Sequence, residues 1–156
     1  MAIALADLLD IRHVKLGLRS RTAGTAIREL VAALAASDHL SEPDKFAELV
    51  IAREQSNPSM VESGVVFPHA RTDLVEKIQL AIGRKGSGVS FGPDGARANF
   101  IFLIGVPQRL ISDYLVAVGA LARIARNDVV RRELLRAPTP ETFLDILRSA
   151  SSPEGT

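Results

Sequence analysis

The sequence predicts one α/β domain, a sandwich in which a mixed, mainly central β-sheet is flanked by helices. The chain has 156 residues, 47% of them hydrophobic, which is typical of a single globular domain. Short apolar runs alternate with segments of helical periodicity, as in α/β folds. We expect the domain over residues 1–150 and a frayed tail over residues 151–156.

The first third of the chain predicts a strand followed by two helices. Residues 13–18 alternate weakly, and residues 20–25 offer capping side chains to a helix. The second helix begins at residues 41–44, where Ser41 and Asp44 resemble a capping box, and ends before Pro58. Apolar residues at helical spacing predict the buried faces of these helices: Ile27, Leu30, Val31 and Leu34 in the first, and Phe46, Leu49 and Val50 in the second.

The middle of the chain predicts the sheet. A strand over residues 65–67 is stopped by Pro68, and residues 79–83 and 89–91 predict a hairpin that turns at residues 86–88. Residues 92–95 (G-P-D-G) form a second turn signal. Residues 100–106 are apolar without alternation, which predicts a central strand covered on both faces.

Three helices are predicted after this strand. The first begins near Leu110 and carries the apolar residues Ile111, Tyr114, Leu115, Val118, Leu121, Ala122 and Ala125 at helical spacing. Asp128 is the expected cap of the second, and Thr139 followed by Pro140 predicts the start of the third.

Composition limits the compartment and the partners. The net charge of +1 predicts no nucleic-acid partner, and the absence of cysteine excludes disulfides and thiolate zinc sites. Residues 1–10 carry two aspartates and no basic leader, so we expect no signal peptide. The longest apolar runs are far shorter than the roughly 20 residues that span a bilayer. We therefore expect a cytoplasmic protein without direct membrane insertion.

His69 is the main candidate for chemistry. It follows an apolar run and Pro68, so the backbone holds its imidazole rigidly just past a strand end. An ordinary histidine pKa of about 6.5 suits a fixed ring to proton or phosphoryl transfer. A hydrogen-bonded structural histidine remains the alternative on residue chemistry alone.

Arg53 is the second candidate. An arginine in the last turn of a helix ordinarily complements the helix dipole. A guanidinium can also hold two phosphate oxygens and offset their charge, provided that folding brings it close to His69. Sequence spacing does not decide between these two roles.

Three other features of the sequence are weaker indications of function than His69 and Arg53. Residues 88–92 (G-V-S-F-G) match the nucleophile elbow of an esterase with Ser90 as nucleophile, but a turn signal follows where a helix is needed. His13, His39 and His69 lack the close spacing of metal ligands, so no metal site is expected. The C-terminal helices are rich in arginine with acidic residues between them. This pattern predicts a solvent-exposed surface, or one that contacts an acidic protein.

The chain resembles a known family in the residues already singled out. Arg53-Glu54, Ser59, Gly64 and Pro68-His69 occur in the order of the IIA domain of the mannitol/fructose class in the bacterial phosphoenolpyruvate-dependent sugar phosphotransferase system, including its nitrogen-regulatory relatives. The segment 89–95 and the strand ending at residues 106–107 are also similar, so the resemblance covers nearly the whole chain.

The resemblance implies a phosphocarrier. His69 would accept a phosphoryl group from the phosphohistidine of HPr, or of its nitrogen-branch counterpart, and pass it to a IIB component or use it to signal to a regulatory target protein. Arg53 would steady the phosphate, with Ser59 at the family's small hydroxyl position. Neither a metal nor an organic cofactor is implied.

Two departures from the family keep an alternative open. Tyr114 stands where the family often has a second histidine, and a phenol can donate a hydrogen bond but supplies no positive charge near neutral pH. Residues 60–63 replace the usual glycine-rich approach, and Glu62 would repel phosphate if it pointed inward. The expected function is thus a phosphocarrier, more regulatory than transport-linked; the alternative is a non-catalytic interaction module with a degenerate site.

Overall fold

A computed structural model describes residues 5–36, 39–59 and 61–151. Its sheet has the order β1-β4-β5-β2, with β3 also paired to β5. The strands are β1 (Val14–Lys15), β2 (Val65–Val66), β3 (His69–Arg71), β4 (Gln79–Phe91) and β5 (Ala96–Val106). Only the pairing of β4 with β5 is antiparallel, so the sheet is mixed, as predicted.

Helices cover both faces of the sheet. They are α1 (Ala23–Leu34), α2 (Pro43–Ser56), α3 (Ile111–Ala125), α4 (Asp128–Arg136) and α5 (Pro140–Ser151), with short 3-10 turns at Leu5–Leu8, Ile11–His13 and Gln108–Leu110. Helices α1 and α2 pack on one face, and α3, α4 and α5 on the other. No helix in the described part of the chain is long and apolar enough to cross a membrane.

Strand β5 lies at the centre of the fold, as its continuous apolar run predicted. Phe100, Phe102 and Ile104 point towards α3 and α5, while Ile101 and Leu103 point towards α1 and α2. All five side chains are buried. Alternate residues of a strand face opposite sides, so a strand between two helical layers needs apolar residues at every position.

The predicted hairpin at residues 86–88 is wrong. Strand β4 continues through this segment, with a shift in pairing register between Arg84 and Val89, and the chain reverses only at residues 92–95. Gly86 and Gly88 lie inside this long strand, between the residues where the register shifts. Glycine is common at such irregularities in sheets.

Several predicted boundaries also differ. The first strand is limited to β1, because His13 belongs to a 3-10 turn. The capping box at Ser41 does not form: Glu42 precedes α2 with a left-handed φ of 48° and makes no side-chain cap. Asn127, one residue before the predicted Asp128, caps α4. The cap at Thr139 is confirmed, since its hydroxyl accepts from the backbone N–H of Thr142 at 3.1 Å.

Some sequence predictions fall outside the described residues. These residues are 1–4 of the segment searched for a leader, Met60 in the approach to His69, and 152–156 of the predicted tail.

Candidate functional site

The candidate site lies on the edge strand beside β5. Strands β2 and β3 follow each other along β5, with Val65 opposite Phe100 and His69 opposite Ile104. Between them Pro68 donates no hydrogen bond, but its carbonyl accepts from the Ile104 N–H at 3.0 Å. Pairing therefore resumes at His69, which begins a short strand, whereas the sequence predicted a position just past a strand end.

A tight turn leads into this edge. The backbone groups of Glu62 and Val65 exchange two hydrogen bonds, of 3.0 and 3.2 Å, around Ser63 and Gly64. Both central residues have positive φ, 56° and 75°, which is the conformation of a type I′ turn. The Gly64 carbonyl accepts from the N–H groups of Asn99 and Phe100, so the turn fixes β2 against β5.

Replacing Gly64 with alanine should destabilise the protein. A Cβ at Gly64 would lie 2.6 Å from the Asn99 Oδ1 atom, and the amide of Asn99 is held by the carbonyls of Lys85 and Gly86. With the cost of positive φ for alanine, we expect a loss of about 2 kcal/mol in the free energy of unfolding, measured by chemical denaturation.

The control for this change is Gly17→Ala. An added Cβ at Gly17 meets no heavy atom within 4 Å, and its φ is not in the left-handed region. Equal stability of the two variants would show that the turn at Gly64 does not hold the edge strand.

The His69 ring has a defined tautomer. Its Nδ1 atom lies 3.1 Å from the carbonyl oxygen of Phe67. A carbonyl can only accept, so Nδ1 carries the proton and the lone pair is on Nε2. Burial lowers the pKa of His69 below its ordinary value, against a smaller opposing effect of the Phe67 hydrogen bond. The ring is therefore neutral at pH 7 and nucleophilic at Nε2.

The pKa of His69 can be tested directly by NMR titration of the ring. We expect a midpoint below about 6.5, because burial disfavours the charged imidazolium. The lowered pKa favours function, because it keeps the ring neutral and nucleophilic at pH values where an ordinary histidine is already half protonated. A midpoint at or above the ordinary value would contradict this description of the ring.

His69 opens into a cavity of about 440 Å³. Arg53 of α2 lines the same cavity, so the fold brings the two main candidates together. The cavity is lined by Leu49, Arg53, Ser56, His69, Ala70, Arg71 and Ile111. None of these residues is acidic, and two carry guanidinium groups.

Neither guanidinium group has a partner among the described residues. Within residues 5–36, 39–59 and 61–151, neither Arg53 nor Arg71 makes an ion pair or a side-chain hydrogen bond. Glu54, next to Arg53 in sequence, instead accepts from the Ser59 N–H at 2.8 Å and from the Ser59 hydroxyl at 2.7 Å. The cavity thus holds positive charge that the described protein groups leave unpaired, which favours an anion.

Ser59 is hydrogen-bonded to the helix that carries Arg53. Its hydroxyl is bound to Glu54, and Ser59 is absent from the residues that line the cavity. In this structure it ties the loop after α2 to the helix, next to the arginine.

Tyr114 packs against His69. The two ring centroids are 5.2 Å apart at an angle of 38°, and Tyr114 is buried. Burial raises the pKa of Tyr114, while the charges of Arg53 and Arg71 lower it by less. The phenol is therefore neutral at pH 7 and lies within the field of both arginines.

The sequence reasoning missed Arg71 and two exposed leucines. Arg71 is two residues after His69 on β3, and alternation puts both side chains on the same side of the strand. Leu49 and Leu115 were predicted to be buried, but they are 40% and 62% exposed. Leu49 lines the cavity, whereas Leu115 does not and lies one helical turn after Ile111, which does.

The remaining sequence candidates lie elsewhere. Glu62 is exposed and does not line the cavity, so its carboxylate is not directed at His69. Ser90 is in strand β4 and is followed by a turn, which is the wrong context for a nucleophile elbow. Among the described residues, no group of three or more His, Cys, Asp or Glu could hold a metal.

Comparison with known proteins identifies the family. Residues 7–150 match the family model described as "Phosphoenolpyruvate-dependent sugar phosphotransferase system, EIIA 2". The chain belongs to this family. It is 26% identical over 144 residues to the fructose-specific EIIABC component of Bacillus subtilis, covering 92% of this chain but only 23% of that protein.

Two further similarities extend the comparison. The chain is 25% identical to a nitrogen regulatory protein of Bradyrhizobium diazoefficiens, over 92% of this chain and 94% of that protein. Its fold is similar to enzyme IIAMTL of Escherichia coli, solved in complex with phosphorylated enzyme IIBMTL: the TM-score is 0.78 at 19% identity, covering 90% of this chain and 96% of that one. The EIIA domains therefore share the mixed sheet and flanking helices described above.

Proposed function

We propose that the chain is a phosphocarrier that accepts a phosphoryl group on Nε2 of His69 from the phosphohistidine of HPr or of its nitrogen-branch counterpart. The observation that carries this proposal is the cavity in which a neutral imidazole, with its lone pair on Nε2, shares the lining with two arginines that the described residues leave unpaired. Family membership supports the same chemistry.

The transfer joins two imidazole rings. The lone pair of His69 Nε2 attacks phosphorus, and the phosphorus–nitrogen bond to the donor ring breaks with its electron pair left on the donor nitrogen. Positive charge develops on the His69 ring as the new bond forms. The Nδ1–H···O hydrogen bond to Phe67 stabilises this charge, because a carbonyl accepts more strongly from a cationic donor.

Arg53 is proposed as the group that holds the phosphate. A guanidinium offers paired N–H donors that match two phosphate oxygens, and it keeps its charge at any physiological pH. Tyr114 would act through its contact with the His69 ring and as a neutral hydrogen-bond donor. Ser59 is proposed to act indirectly, by fixing the loop next to Arg53 through its two hydrogen bonds to Glu54.

The surroundings of the cavity suit a protein donor. Leu49 and Ile111 line the cavity and form an apolar rim beside a positively charged centre. A partner with a phosphohistidine set in an apolar surface would bury this rim and exclude water from the reacting atoms. HPr-type donors, a IIB component and a regulatory target would then use the same surface in turn, in the cytoplasm.

We also propose that this phosphocarrier has a regulatory role. A nitrogen regulatory protein of Bradyrhizobium diazoefficiens is among the relatives of this chain, at 25% identity over 144 residues. Phosphorylation adds about two negative charges at His69, enough to change which partner binds the rim. Pull-down with phosphorylated and unphosphorylated protein tests this part: capture of a regulatory protein by only one form supports it.

The test of the proposed transfer uses the intact chain with phosphoenolpyruvate, the general enzyme of the phosphotransferase system and HPr. Intact-mass measurement should show a gain of one phosphoryl group that depends on every added component and is lost in acid, as expected for phosphohistidine. Unmodified protein with both the sugar-branch and the nitrogen-branch donors would overturn the proposal and favour the non-catalytic interaction module.

A further inference from the structure

We infer that Arg71 is a second phosphate-binding residue, which shares the transferred phosphoryl group with Arg53. The inference rests on the proposed function and adds to it a residue that the motif around His69 does not indicate. The structural basis is the presence of both arginines in the lining of the cavity that His69 also lines.

Strand geometry directs Arg71 towards the site. In β3 the exposure alternates: His69 is half-buried, Ala70 is buried and Arg71 is exposed. Residues two apart on a strand project from the same side, so Arg71 follows His69 along the cavity wall. The pairing of Arg71 with Val106 on β5 fixes its backbone. Arg53 approaches the same space from α2, so the two cations come from different elements.

The charge balance of the site calls for two cations. The phosphoryl group that enters the cavity carries a charge of about −2 near neutral pH, comparable with other protein phosphates. Before the new bond forms, the His69 ring and the Tyr114 phenol are neutral, and Arg53 alone supplies +1. Arg71 supplies the second charge in a half-buried cavity where an uncompensated anion is unfavourable.

The charged groups around the ring agree with this arrangement. The charges of Arg53 and Arg71 both act to lower the pKa of His69, and Glu54 acts to raise it. Glu54 is bound to Ser59 and does not line the cavity. Arg71 has no carboxylate partner within the described residues, so an incoming phosphate would not have to break an existing ion pair.

The experiment compares wild type with Arg71→Gln and Arg71→Lys, using potassium phosphoramidate as a small phosphoryl donor that needs no partner protein. In this reaction Nε2 of His69 forms a bond to phosphorus, and the donor's phosphorus–nitrogen bond breaks to release ammonia. We expect Arg71→Gln to accept phosphate roughly 10-fold more slowly, with Arg71→Lys between it and wild type.

Two readouts separate a charge effect from a loss of structure. Added salt should slow acceptance more in wild type than in Arg71→Gln, because only wild type has the second charge to screen. The NMR pKa of His69 should rise in Arg71→Gln, because a nearby cation has been removed. The matched control is Arg126→Gln, an exposed arginine after α3 that does not line the cavity.

The outcomes distinguish the inference from the proposed function. Normal His69-dependent acceptance in Arg71→Gln, at a rate within about twofold of wild type and of the Arg126→Gln control, would overturn the role of Arg71 and leave the phosphocarrier intact. Wild type that accepts phosphate from neither phosphoramidate nor HPr would overturn both. A slowed variant rescued by lysine, with its salt dependence reduced, supports the inference.

Discussion

Replacing His69 with glutamine is expected to abolish phosphoryl acceptance, by roughly 10⁴-fold or more, because the variant has no nucleophilic nitrogen. Glutamine places its amide nitrogen near the position of Nε2, so the hydrogen bond that Nδ1 donates to the Phe67 carbonyl is lost with the ring. We expect this loss to cost about 1 kcal/mol of unfolding free energy, too little to unfold the protein. The measurement is a time course of phosphoprotein formed from phosphoenolpyruvate, the general enzyme and HPr.

The control for this variant is His39→Gln. His39 lies between α1 and α2, and its Nδ1 atom is 3.9 Å from a carboxylate oxygen of Glu76. It does not line the cavity of His69, so the control should accept phosphate at the wild-type rate. A His69→Gln protein phosphorylated as fast as this control would place the acceptor on another residue.

Replacing Arg84 with methionine is expected to cost about 3 kcal/mol of unfolding free energy. The Arg84 guanidinium donates to the carbonyls of Leu134 and Ala137, each at 2.8 Å, and to that of Leu16 at 3.3 Å. Two of these acceptors are at the end of α4, where carbonyls lack partners within the helix. Methionine keeps the apolar stem but leaves all three oxygens without this donor.

Arg84 joins parts of the chain that are far apart in sequence. It extends from β4, at the point where the register of the strand shifts, to the segment after β1 and to the corner between α4 and α5. Removing it should therefore loosen the C-terminal helices more than the site at His69. Chemical denaturation gives the energy, and amide hydrogen exchange should show protection lost first in α4.

The control for this prediction is Arg97→Met. Arg97 is exposed and donates one side-chain hydrogen bond, to the Ser87 carbonyl at 3.1 Å. We expect its loss to cost less than about 1 kcal/mol. Equal costs for the two variants would mean that the contacts of Arg84 with α4 do not contribute as described.

Local sequence patterns predicted the parts of the fold that depend on local rules. The continuous apolar run at residues 100–106 indicated the central strand, and Thr139 marked the start of α5. Pro68 correctly indicated that the edge strand is interrupted immediately before His69. These signals depend on backbone chemistry within a few residues, so no knowledge of tertiary packing was needed.

The errors arose where tertiary contacts override local rules. Glycines 86 and 88 suggested a turn, but pairing with β5 keeps β4 extended through them. Leu49 and Leu115 fit a buried stripe by spacing, yet the packing of α2 and α3 leaves both exposed, and Leu49 lines the cavity. Periodicity reports which residues share a helical face, and the neighbouring elements decide whether that face is covered.

The site itself could be predicted only in part. His69 and Arg53 were singled out from the sequence, but their meeting in one cavity depends on how α2 packs beside β3. Arg71 was missed because the motif was considered to end at the histidine. The alternation of side chains along a strand that continues past Pro68 would have revealed it.

The most direct test of the central claim is heteronuclear NMR of the nitrogen-labelled chain after phosphorylation by HPr. Our account predicts a phosphorus–nitrogen coupling at Nε2 of His69, with Nδ1 still protonated and bonded to the Phe67 carbonyl. A coupling at Nδ1, or a phosphoryl group on any residue other than His69, would contradict the account.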